Sequence, residues 1–159
     1  MIAKTTTYLG YLTALVLAAL VILVVYDATM RYIFSGGSLA LQELEWHLFD
    51  VVILFAIAYT LKEGAHVRVD ILYHRFTPKT KAVVDIFAAL FFILPFSFLI
   101  VYLGIDFVHM SFVQNEASSD PGGLGYRYLV KSLLPLSFVF LALQALCEVK
   151  KNYVLWRSL

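Results

Sequence analysis

The chain is poor in charge and in cysteine, and each shortage narrows what it can be. Charged residues make up only 14% of its 159 residues, while 62% are hydrophobic and the mean hydropathy is +0.85. Soluble domains average roughly 25% charged and about 45–50% apolar residues, so the composition predicts an integral membrane protein. With a single cysteine, Cys147, the chain has no internal disulfide and no cysteine-based zinc or iron–sulfur site. A net charge of +1 leaves no basic stripe to neutralise phosphates, so nucleic acid is excluded as a partner. Nucleotide, nucleophile and metal motifs are also missing. The glycines at 122–125 are not followed by the Lys-Ser/Thr of a phosphate loop, and the serines and histidines form no triad pattern. The chain reads as a non-enzyme without a cofactor.

What the chain does have is long apolar runs. Leu9–Tyr26, Leu48–Leu61, Ile86–Gly104 and Leu129–Cys147 each suit a membrane span, the second once its polar entrance 41–47 is added. A bilayer core takes about 20 mostly apolar residues in a helix, and a lipid-exposed backbone must satisfy its own hydrogen bonds, which favours helices. The expected spans are about 8–30, 39–63, 80–110 and 128–149, in one domain covering 1–159. The first run exceeds the roughly 7–15 residues of a signal-peptide core, and no small-residue cleavage pattern follows, so it reads as a retained span.

The cations fall unevenly between these spans. Lys4, Lys62, Arg68, Arg75, Lys79, Lys81, Lys150, Lys151 and Arg157 lie on one side, and Arg31, Arg127 and Lys131 on the other. The positive-inside rule places the nine in the cytoplasm. Both termini and the middle loop are then cytoplasmic, and loops 32–40 and 105–128 face outward.

Local patterns add detail. Gly10, Ala14 and Ala18 recur every four residues, as does the row Ala56, Thr60 and Gly64, and such rows suit close helix contact. Ser38 is placed to cap the second helix. Val67, Ile71, Leu72 and Phe76 share one face of the middle loop, which predicts a short amphipathic helix lying in the membrane interface. Pro95 should kink the third helix and Pro135 bend the fourth. Asp27 and Arg31, four residues apart, should pair, with Arg31 also able to reach Glu43 across the short loop. These acids lie near the outer surface rather than at mid-membrane, which favours structural pairing over an ion path. His47 and His109, at similar depth, admit a haem-bearing electron-transfer subunit as the alternative function.

Several stretches together resemble the small, Q-type (DctQ-like) membrane subunit of the tripartite ATP-independent periplasmic (TRAP) transporters. They are Arg31-Tyr32-Ile33-Phe34, Gln42-Glu43-Leu44, the run from Gly64 through His66 and Asp70 to Leu72, Asn115 to Ser119, Pro121 to Tyr128, and Lys131 to Leu136. The likeness covers essentially the whole chain, and Gly-x-His-x-x-x-Asp is its most specific piece. Gly125 departs from it, standing where proline is expected. The resemblance implies a scaffold subunit in the bacterial inner membrane. Its partners would be a large M-type elevator subunit, driven by a sodium gradient, and a periplasmic P-type protein that delivers an organic acid. Glu116, Asp120 and Arg127 on the outer loop are the residues expected to meet that soluble partner.

Overall fold

The computed structural model describes residues 2–64, 73 and 76–158. Four helices account for nearly all of them: α1 (Ile2–Ile33), α2 (Leu39–Glu63), α3 (Pro78–Val113) and α4 (Arg127–Ser158). No strand occurs among the described residues. All four helices are long and apolar enough to cross a membrane, which makes the protein an all-α, multi-pass membrane protein.

Three of the four helices run past the apolar stretches that predict them. At 32 residues, α1 and α4 are each about 48 Å long, against an apolar core of about 30 Å. A helix that leaves lipid need not stop at the surface. At the end of α4, Lys150, Lys151 and Arg157 favour continuation because cations complement the partial negative charge of a helix C-terminus. Helix α2 does stop with its apolar stretch, where Gly64 takes a left-handed φ of 66° and its N–H caps the carbonyls of Leu61 and Thr60. At the other end of α2, Ser38 sits at the capping position but its hydroxyl makes no capping bond. Its backbone carbonyl instead receives the N–H groups of Leu41 and Gln42.

On α1 and the second half of α3 packing follows a seven-residue repeat. On α1 the buried residues are Thr6, Thr13, Leu20 and Asp27; on α3, Ser97, Gly104 and Ser111 lie at the same interval. Ala14 and Ala18 are exposed, and Gly10 alone of that row touches a neighbouring helix, beneath the Tyr59 ring. A seven-residue interval keeps one seam facing the partner helix, as in left-handed helix pairs. Small side chains along it let backbones approach closely. A Cβ at Gly104 would lie 3.2 Å from the Pro135 ring, so Pro135 is seated against the α3 backbone within a continuous α4.

Helix α4 is the centre of the bundle, packing on α3 and α2 and, less extensively, on α1, while α1 lies mainly against α2. Phe138, Leu141 and Ala145 on α4 meet Leu61 and Ala89 in the core. Edge-to-face ring pairs join Phe138 to Phe96 at 5.7 Å and Phe140 to Phe55 at 6.1 Å. Several buried or half-buried polar groups pair with one another, as a lipid environment favours. Thr6 donates to Gln144 at 2.9 Å, Gln144 to Glu148 at 3.1 Å, and Lys62 to Thr7 at 2.7 Å.

The expected perturbation at Pro95 takes a specific form. Residues Ala89–Ile93 make a π-turn, and the N–H of Leu94 reaches back to the carbonyl of Ala89. Proline offers no N–H and its ring collides with the preceding turn of a regular helix. One wider turn relieves both problems just before it.

Of the expected middle-loop helix, Val67, Ile71 and Leu72 lie outside the described residues. Phe76 is exposed and packs edge-to-face on Tyr73. Tyr73 donates to Asp85 at 2.9 Å, and Lys81 lies 5.0 Å above its ring.

Candidate functional site

Helix α2 brings Glu43 to the end of the bundle opposite the termini, one turn inside its start, with its side chain only 13% exposed. The loop between α3 and α4 folds over it. Asn115 leaves α3 with a φ of 47°, after which the Glu116 N–H bonds the Ser111 carbonyl and the Arg127 N–H bonds the Glu116 carbonyl. Ser118 N–H bonds Leu124 carbonyl, and Gly123 N–H bonds Asp120 carbonyl, so the loop closes on itself.

Glu43 then clasps the closed loop. Its carboxylate accepts from the Ser118 hydroxyl, from the Leu124 N–H at 2.5 Å and from the Arg127 guanidinium at 3.1 Å. Charge-assisted bonds of this kind are roughly twice as strong as neutral ones. The fit leaves no space at Gly123, where a Cβ would overlap the Ser118 side chain and lie 2.8 Å from the Glu43 carboxylate. A second ion pair supports the base of the loop: Glu116 receives the ammonium of Lys131, which lies 4.2 Å from the centre of the Phe107 ring. The Lys131 contact holds the Glu116 carboxyl below its ordinary value of 4.5.

These contacts redistribute the residues that the sequence singles out. Asp27, 1% exposed, pairs with Arg31 one turn away. Glu43 does not join them; its cation is Arg127, from the far end of the chain. Of the three residues expected to meet a soluble partner, Glu116 and Arg127 therefore have intramolecular ion-pair partners. Asp120 is exposed on the rim of a cavity of about 310 Å³, lined also by Trp46, His47 and Arg127. His109 is exposed on α3. Ser118 and the Leu124 amide go unrecognised in the sequence, because their roles depend on contacts with a residue 75 or more positions away. Tyr126 adopts a φ of 58°, unusual for a bulky residue, and presents an exposed ring beside this rim.

The arrangement offers no reacting pair of groups. It holds a loop rigidly at one end of a helix bundle, a geometry suited to presenting a surface.

Comparison with known proteins gives the same kind of answer over nearly the whole chain. Residues 5–153 match the sequence model of the DctQ component of tripartite ATP-independent periplasmic transporters. A Haemophilus influenzae protein assigned the name TRAP transporter small permease protein is 24% identical over 144 residues, covering 91% of this chain and 86% of that relative.

Proposed function

Because the chain belongs to the DctQ component family of TRAP transporters, and so is a transporter component rather than an enzyme, we propose that it is the small scaffold subunit of an organic-acid importer. In this reading it lies in the bacterial inner membrane with both termini cytoplasmic. It braces a large elevator subunit, coupled to a sodium gradient, and helps receive a periplasmic substrate-binding protein. The observation that carries the reading is the match of residues 5–153 to the family. Two physical features support it. Among the described residues the fully buried acid, Asp27, lies near the end of α1, while Leu20, Phe55, Phe138 and Leu141, with the hydroxyls of Ser97 and Ser137, occupy the middle of the bundle, an arrangement of a support rather than an ion path. The nine-to-three division of cations favours cytoplasmic termini.

The clasped outer loop is the surface we assign to the soluble partner. Exposed charges steer encounter and choose partners more than they add affinity. Asp120 is the cleanest probe, because reversing Glu116 or Arg127 would also break an internal ion pair. Uptake by the assembled transporter, measured against binding-protein concentration, should require more of that protein for Asp120→Lys, with the difference shrinking as salt rises. An unchanged curve at low and moderate salt would remove Asp120 from the docking surface. For the scaffold role, a tagged copy of this chain should retain the large subunit through detergent purification. Recovery of the tagged chain without it would count against that role.

A further inference from the structure

The cavity of about 310 Å³ beside the clasp is walled by the parts of the chain that the clasp joins. Helix α2 contributes Gln42, Glu43, Trp46 and His47, the outer loop Asp120, and the start of α4 Arg127. Glu43 and Arg127 meet at 3.1 Å and neutralise each other. Asp120 is different. Its backbone is fixed, because its N–H bonds the same Ser118 hydroxyl that Glu43 holds, and its carbonyl accepts from Gly123. Its exposed carboxylate has no ion-pair partner among the described residues. With histidine counted as neutral, the lining keeps one uncompensated negative charge, and the closed loop holds it in place. Across the opening Trp46 is 70% exposed. The face of an aromatic ring attracts a cation, and the indole does so best. Gln42, one turn earlier on α2, adds an amide oxygen that accepts hydrogen bonds. A carboxylate, an indole and an amide acceptor around one opening suit a cation and disfavour an anion.

Resting on the docking reading of the outer loop, we propose that this cavity receives a single arginine or lysine side chain of the soluble partner. The cationic group pairs with Asp120, and the side chain lies over the Trp46 ring. Long cationic side chains are suited to such a place, because their apolar stems cover a ring while the charge stays at the rim. A lipid ammonium shares this chemistry, but Asp120 stands on the loop between the end of α3 and the start of α4, beyond both spans, which favours a soluble protein as the source. One aromatic anchor beside one ion pair is also the usual composition of an energetic centre in a protein interface.

The test uses vesicles holding the large subunit and this chain, with uptake measured against the concentration of added binding protein. Exposed arginines and lysines of the binding protein are changed to glutamate one at a time. One such change should restore uptake to the Asp120→Lys chain while impairing it with the unaltered chain. Trp46→Leu should raise the binding-protein requirement about twofold to fivefold, the size of one exposed cation–π contact. It should add nothing to Asp120→Lys, because the cation has then already lost its place. Photo-cross-linking from a reactive residue in place of Ser119, an exposed site on the same loop, reports docking by itself. Cross-linking to the binding protein with no restoring charge swap would overturn the cation site and leave the docking surface standing. So would an unchanged Asp120→Lys curve, or losses from Trp46→Leu and Asp120→Lys that simply add, which would assign Trp46 to the membrane interface instead. Absence of any cross-link would remove the docking surface and the cation site together.

Discussion

Glu43 and Arg127 lie 84 positions apart in the chain, yet their side chains meet at 3.1 Å and fasten the start of α4 to the start of α2. The same carboxylate holds Ser118 and Leu124, so one acid ties two helices and a loop together. Removing it should be costly. Glu43→Ala strands three donors in a largely buried site and should destabilise this end of the bundle by about 1–3 kcal/mol. Unfolding in mixed detergent micelles would measure the loss, and limited proteolysis should show faster cleavage within 116–125. Glu43→Gln, which keeps an acceptor without the charge, should fall between Glu43→Ala and the unaltered protein.

The neighbouring glycines separate space from backbone strain. Gly123→Ala pushes a methyl into Ser118 and the Glu43 carboxylate, whereas a Cβ at Gly125 meets nothing within 4 Å. Gly123→Ala should therefore lower the melting temperature clearly and Gly125→Ala hardly at all. Gly122→Ala has open space but a φ of 86°, and should cost roughly 1 kcal/mol through strain alone.

The Glu116–Lys131 pair makes the loop sensitive to acid. Lys131 lowers the folded-state value of the Glu116 carboxyl, so the stabilisation is fully present above the ordinary glutamate value of 4.5. It is lost as pH falls from there through the depressed value. Melting curves recorded from neutral to acidic pH should show a decline in that window that Glu116→Gln makes shallower. An equally steep decline in both proteins would assign the acid sensitivity to other groups.

Asp27 and Arg31 form a pair in which the acid is buried and the base is partly exposed. Taking away the base alone leaves a buried carboxylate without its cation. Arg31→Ala should therefore be the more damaging single change, by about 1–3 kcal/mol. The double variant Asp27→Asn with Arg31→Ala should recover part of that loss, measured as the coupling term of a double-mutant cycle.

The sequence made the four helices legible because their signal is local: a run of apolar residues long enough to span lipid declares itself. The seam between helices was harder to read. Small residues at Gly10, Ala14 and Ala18 outlined one face of α1, but the buried face carries Thr6, Thr13, Leu20 and Asp27, which share an interval rather than a residue type. Asp27 with Arg31 could be anticipated, since both lie on one helix face. Glu43 with Ser118, Leu124 and Arg127 could not, because the loop's closure decides which groups reach that carboxylate. At Pro95 the sequence signalled a break in the hydrogen-bond ladder without saying that a π-turn would absorb it.

The central claim is that this chain supports a transporter without itself moving the solute. The direct measurement is organic-acid uptake into vesicles holding the large subunit with its binding protein and an imposed sodium gradient, with and without this chain. A further set of vesicles would hold this chain alone. The account predicts uptake only when all the components are present, and none from this chain by itself. Uptake by the lone chain, or full uptake in its absence, would contradict it.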